Sequence, residues 1–270
     1  MNLLERLGAR RTLARASAEA LPGTPLTRCE ARVRSQNGED GVLAAILSAI
    51  GLSNRYFVEF GIGGGEEGNC VALAAALGWS GLFLEADLDA SRALEARYAR
   101  RTRVRTGRER VTADSVQAVF ARYGVPERFD VLSIDIDGND FWVWQALTRL
   151  RPRVVVAEYN AHLPLHRRLV MPRDDGFEWE GNDYHGASLG ALRHLGAEKG
   201  YELVHTDSNG VNAFFVESEA VGSLPVADRV PLHPANLLGR GVRLPPDPQD
   251  RPWLDLDSEE LVKVERPAAG

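Results

Sequence analysis

Apolar positions along the chain fall into short runs separated by longer stretches of helical spacing. Tyr56-Phe57-Val58, Leu82-Phe83-Leu84, 131–134 and 154–157 are apolar runs of strand length bounded by turn residues, as buried strands require. Between them, 69–77, 90–101, 115–123 and 141–147 show helical patterns, and an apolar helix over 41–50 precedes the first strand. A third strand is expected around Val104 or Val111. Farther on, 188–199 predicts an amphipathic helix, and 201–206 and 212–217 predict two strands joined by the hairpin residues Asp207-Ser208-Asn209-Gly210. Strands alternating with helices predict an α/β fold with a mostly parallel sheet, here seven-stranded and closed by a C-terminal antiparallel hairpin.

The junction after the first strand carries the clearest chemistry. Glu59-x-Gly61-x-Gly63-x-Gly65 leads into a helix, and a second strand ends in Glu85. Glycines there permit positive φ and close approach of a ligand to the backbone. A carboxylate at the end of the second strand can take both hydroxyls of a ribose. Glu66-Glu67 sets two anions where a dinucleotide would place its pyrophosphate, so a cofactor without phosphate fits better. S-adenosylmethionine, with its sulfonium and ammonium, is such a molecule.

A second group follows the strand at 131–134, where Asp135, Asp137, Asn139 and Asp140 surround Gly138. Ligands of open α/β sheets bind beyond the carboxyl ends of the strands, so these side chains should share a crevice with Gly63. The next strand delivers Glu158, Asn160 and His162 to the same edge. Asp135, Asp137, Glu158 and His162 are the candidate proton acceptors. A charged, proline-broken segment over 162–185 predicts a lid, from which Arg173 and His185 are candidate substrate contacts with Gln36, Asn139 and Asn160. Asp114 either caps the following helix or meets an adenine amino group, and Asp40 is expected as a helix cap. Trp142 and Trp144 are expected in a core or interface.

Composition adds exclusions. With 270 residues, 44% hydrophobic and 26% charged, the chain has enough apolar material for a sizeable core. A net charge of −6 gives no global attraction to nucleic acid or to an anionic membrane. Two cysteines make no disulfide framework, and no membrane span or signal segment stands out, so a cytoplasmic location is the default expectation. Residues 1–33 are expected as a helical arm, packed on its own domain or on a second subunit, with its helix interrupted at Gly8 and ended by Pro22-Gly23. Residues 34–218 would form the α/β domain, and 219–270 a proline-rich extension that includes Pro231 and Pro234.

SQNGEDG, FVEFGIGGG, SIDIDGNDFWVW, EYNAH and GASL together resemble a bacterial group related to FkbM-type methyltransferases within the class I S-adenosylmethionine-dependent superfamily. The resemblance implies a Rossmann-like class I methyltransferase fold. It also implies methyl transfer to oxygen or nitrogen of a small molecule, such as a sugar or secondary metabolite. Glu59, Gly61, Gly63, Gly65, Glu85 and Asp114 would then bind the cofactor. Asp135, Glu158 and Asn160 resemble the oxygen-ligand set of metal-dependent O-methyltransferases, with Tyr159 as a departure, so a divalent metal is a candidate second cofactor. The chain is also similar to the aziridine-forming enzyme of azinomycin-type pathways, which implies an alternative without cofactor: intramolecular displacement of a sulfate ester, with lid arginines on the leaving group. A non-catalytic scaffold binding a partner through the arm is the third reading.

Overall fold

The computed structural model describes residues 2–22, 24–226 and 244–264. Its strands are Tyr56–Phe60 (β1), Ser80–Glu85 (β2), Val104–Arg108 (β3), Arg128–Ile134 (β4), Arg151–Glu158 (β5), Leu169–Val170 (β6), Tyr201–Thr206 (β7) and Asn212–Glu217 (β8). All but β6 form one sheet in the order β3-β2-β1-β4-β5-β8-β7. The first five strands pair in parallel, and β8 inserts antiparallel between β5 and β7. This is the expected mixed sheet with its C-terminal hairpin.

Alternation along each strand sends side chains to two cores. On one face Val58, Leu132, Val155 and Phe215 pack with Phe120, Trp144 and Leu192. These last three come from the helices Val116–Arg122 (α4), Asp140–Ala146 (α5) and Leu189–Glu198 (α6). On the other, Phe57, Val131, Val154 and Phe214 meet Val42, Ile46, Cys70 and Leu94. Here the helices are Glu39–Ile50 (α2) and Leu88–Tyr98 (α3). Both cysteines are free and buried. Trp144 packs on Phe215 with ring centroids 4.9 Å apart, and the Trp142 indole donates to the Met171 carbonyl at 2.8 Å.

Several elements depart from expectation. The segment at 69–77 is a wide π-helical turn over Leu73–Leu77 instead of a regular helix. Helix α1, Leu3–Ala18, runs straight through Gly8. Its start is fixed by an Asn2/Glu5 capping box, and Ala9, Leu13 and Ala16 are buried. Glycine weakens a helix interior by only about 1 kcal/mol, which packing can outweigh. Gly23 lies outside the described residues, as do Pro231 and Pro234. Asp40 accepts N–H bonds from Val33, Arg34 and Ser35 and so ties down the approach to α2, whose N-cap is Gly38. At α4, Thr112 and Ser115 bond reciprocally, and Asp114 does not cap the helix.

The C-terminal segment holds two short strands, Trp253–Asp255 (β9) and Glu260–Val262 (β10). β9 pairs antiparallel with β6 of the lid, giving a second, three-stranded sheet. The lid is therefore strapped down: Arg167 pairs with Asp255 at 2.6 Å and Arg168 with Asp257. No described helix is long and apolar enough to cross a membrane.

Candidate active site

β1 ends beneath the glycine turn, and Glu59 anchors the two together. Its carboxylate accepts from the Asn69 N–H at 2.7 Å and the Cys70 N–H at 2.9 Å, supplying partners for donors at the start of the helical turn. Burial pushes this carboxyl up to about 7 in spite of those bonds. Gly61 has φ +78°, and a Cβ there would sit 1.5 Å from the Asp135 carbonyl oxygen, so no other residue fits. Gly65 packs beneath Leu94 and Tyr98. Gly63 differs from both. It also has positive φ, but nothing lies within 4 Å of where its Cβ would be. Its N–H donates to Glu85 Oε2 at 2.6 Å, while Glu85 Oε1 accepts from the Asp87 N–H at 2.9 Å. Gly63 and Glu85 thus border a cavity of about 400 Å³ at the carboxyl ends of the strands, with Phe60, Val111, Ile136 and Phe177 among its walls.

Asp135, Asp137 and Asn139 line the same cavity. Asp140 builds the loop that presents them. Its two oxygens each accept a backbone N–H at 3.0 Å, from Ile136 and Gly138, and burial raises its carboxyl to about 6. Asp137 adopts φ +56°, sparsely populated for a non-glycine residue. At the end of β5, Glu158 joins the group, and oxygens of Asp135, Asp137 and Glu158 all lie within 4.8 Å of one another. Burial, then mutual repulsion, raises Asp135 and Glu158 well above the usual carboxylate range. Partial desolvation at the cavity edge and the Glu85 charge raise Asp137, although the residue is exposed. Glu158 Oε2 is buried without a hydrogen bond and lies 3.7 Å from His185 Nδ1. Burial, helped by His162, depresses His185 to about 4, so its ring is neutral at pH 7.

Other candidates are occupied within the protein. The Asn160 amide donates to the Asp183 and His185 carbonyls at 2.8 and 2.9 Å and accepts from the His162 N–H at 3.0 Å. Its side chain holds the start of the lid. Asn139 bonds Asp174 through both amide atoms. Arg173 is held by Asp175 at 2.7 Å and by Asp114 at 2.6 Å, which places Asp114 on the exposed rim and lowers its carboxyl through that bond. Gln36 is exposed and makes no side-chain hydrogen bond among the described residues.

Phe177, Val111, Thr112 and Asp175 line the cavity without having been expected there. Phe177 closes over Gly138, where a Cβ would meet its ring at 2.6 Å, a contact that no sequence signal announces. Glu39, buried in the first turn of α2, accepts from the Asn212 amide at 2.8 Å. An acid opening so apolar a helix was the available signal.

No protein-family model matches the chain, and no curated protein matches it. Among solved structures, it is similar to the N-terminal domain of EvdMO1 with SAH bound, at 18% identity and a TM-score of 0.45, over 68% of this chain and 81% of that one. A putative O-methyltransferase from Klebsiella pneumoniae matches at 16% identity and a TM-score of 0.41, over 76% of this chain and 87% of that one. The CurJ carbon methyltransferase matches at 9% identity and 0.43, over 80% and 69%. The strand order and the antiparallel insertion of β8 decide the matter of fold. The chain has a class I methyltransferase-like fold. Its glycine turn and acid loop occupy the ligand edge of that fold, where the strand order turns outward from β1 and β4.

Proposed function

We propose that the protein is an S-adenosylmethionine-dependent methyltransferase acting on oxygen or nitrogen of a small molecule. The observation that carries this reading is the cavity bordered jointly by Gly63 and Glu85. Its volume lies within the range of small-molecule sites, roughly 300–1,000 Å³. The residues fit the cofactor on three counts. Gly63 leaves open space for close approach, Glu85 offers carboxylate oxygens to a ribose, and Val111 and Phe177 offer apolar walls to a base. Glu66 and Glu67 pair with Arg97 and Arg32 at the surface. The cofactor, when bound, supplies an electrophilic methyl group. A proton must leave the substrate nucleophile, and Asp135 and Asp137 stand at the cavity edge to accept it. A carboxylate raised by burial is the stronger base.

As an alternative to the base role of Asp135 and Asp137, a divalent cation fits the same edge. Asp135, Asp137 and Glu158 offer hard oxygen atoms, and the unpartnered Glu158 Oε2 leaves one buried lone pair in want of a partner. The cation would be held by these three carboxylates and would orient substrate oxygens. The Asn160 side-chain oxygen already accepts the His162 N–H at 3.0 Å, so the proposed set is the three carboxylates.

Sulfate displacement has less support. It calls for free lid arginines, and Arg167, Arg168 and Arg173 are all ion-paired within the protein. Calorimetric titration with S-adenosylmethionine and S-adenosylhomocysteine tests the main reading. Micromolar binding is expected, and a folded protein that gives no heat with either would overturn it. Magnesium added to chelator-treated protein should raise the thermal midpoint, and Glu158→Gln should remove that rise.

A further inference from the structure

The net charge of −6 conceals a local excess of the opposite sign. Arg6 from α1 and Arg100, Arg101 and Arg103 from the α3–β3 turn line a concave site of about 370 Å³, with Trp79 and Thr102 in its wall. It lies where β2 and β3 begin, at the sheet edge opposite Gly63 and Glu85. It is therefore separate from the candidate active site.

The four arginines differ from their neighbours. Arg92, Arg97 and Arg122 pair with Asp89, Glu66 and Glu109. Among the described residues, Arg6, Arg100, Arg101 and Arg103 form no ion pair. Three of them are nonetheless held in place. Arg6 Nε donates to the Ala75 carbonyl at 3.1 Å, Arg101 Nη1 to Ala74 at 3.2 Å and Arg103 Nη1 to Gly78 at 3.4 Å. The carbonyls left over by the π-helical turn thus fix three guanidinium groups by one donor each. A guanidinium has five N–H donors, so most remain available for an anion. Gathering four cations around one cavity without an acid costs mutual repulsion, which a bound anion would remove.

We infer that this cavity binds a phosphate-bearing polyanion. Arginine suits phosphate because its planar fork donates two parallel bonds. The phosphate could belong to a free metabolite or to a lipid headgroup. The second source is compatible with Leu3, Leu4 and Leu7, exposed by 71, 80 and 44% on the same helix as Arg6.

The test uses the full chain and inorganic tripolyphosphate as probe, followed by calorimetry and thermal midpoint at two salt concentrations. Binding is expected, weaker at higher salt. The Arg100→Gln/Arg103→Gln variant should weaken it by about tenfold or more, the loss of two charge-assisted contacts. Arg100→Gln alone is the safeguard against misfolding, since the Arg100 side chain makes no hydrogen bond within the described residues, and it too should bind more weakly than the native chain. Arg92→Gln, on the surface of α3, should bind as the native chain does. No binding by the native protein, equal binding by the double variant, or an equal loss in Arg92→Gln would each overturn the proposal. Sedimentation with phosphatidylglycerol vesicles, against phosphatidylcholine vesicles, separates the sources. Pelleting that is lost in the double variant assigns a lipid headgroup. Tripolyphosphate binding without pelleting assigns a free phosphate compound.

Discussion

The glycines of the turn have different tasks, and single substitutions should separate them. Gly61→Ala forces a Cβ onto the Asp135 carbonyl, so the strand ends must part and the domain should lose about 2–4 kcal/mol, read as a lower thermal midpoint. Gly63→Val meets no protein atom at Cβ and costs only the strain of its positive φ, about 1–2 kcal/mol. It should leave a folded protein that no longer binds S-adenosylmethionine, because the side chain fills the cavity. Unchanged affinity in that variant would reduce Gly63 to a turn residue. The three acids divide in the same way. Asp135→Asn and Asp137→Asn should lower turnover by about 10²- to 10⁴-fold with little loss of stability. Asp140→Asn should chiefly destabilise, since Asp140 accepts the Ile136 and Gly138 N–H groups and an amide nitrogen cannot. Equal turnover in the first two would remove them from the chemistry.

At the scale of elements, the inner strands β1, β2, β4 and β5 and their acid-bearing ends were legible because burial writes itself as apolar runs, whereas β6, β9 and β10, short and outside the main sheet, were not. β7 and β8 begin and end where the sequence predicts, with the hairpin between them. The π-helical turn at Leu73–Leu77 was not legible, since a run of alanine and leucine fits either helix. Nor were the ties of Asn160 to Asp183 and His185 and of Arg173 to Asp114, because those partners lie far away in sequence: Arg173 meets Asp114 across 59 residues (173 − 114). A similar long-range tie joins α2 to the sheet. Asp130, at 0% exposure, accepts N–H groups of Ser53, Asn54 and Arg55 and pairs with Arg153 at 3.2 Å. Asp130→Ala strands three donors and a largely buried cation, so it should cost about 3–5 kcal/mol. Chemical denaturation would read this as an earlier midpoint, and a loss under 1 kcal/mol would show that water replaces the carboxylate.

For the whole molecule, buried carboxyls set how stability responds to pH. Burial raises Glu59 and Asp207 to about 7. A carboxyl raised in the folded state holds its proton more tightly there than in the unfolded chain. Its stabilising contribution is complete below about pH 4 and is lost as the pH climbs to about 7. Glu30 runs the other way: hydrogen bonds from His205 and Ser208 outweigh its burial and lower it, so its contribution is lost on acidification. The thermal midpoint should therefore peak on the acid side of neutrality, near pH 5, and fall toward pH 8. Asp207 is the group to test, because it lies on the β7–β8 hairpin, away from the glycine turn. It accepts N–H bonds from Asn209, Val211 and Asn212, yet burial and the Glu39 charge dominate. Asp207→Asn cannot ionise, so its midpoint should vary less between pH 5 and 8 than that of the native chain, although it is lower at pH 5 for want of one acceptor. An alkaline limb of unchanged steepness would mean that the three N–H groups keep Asp207 ionised and that burial is not the deciding influence.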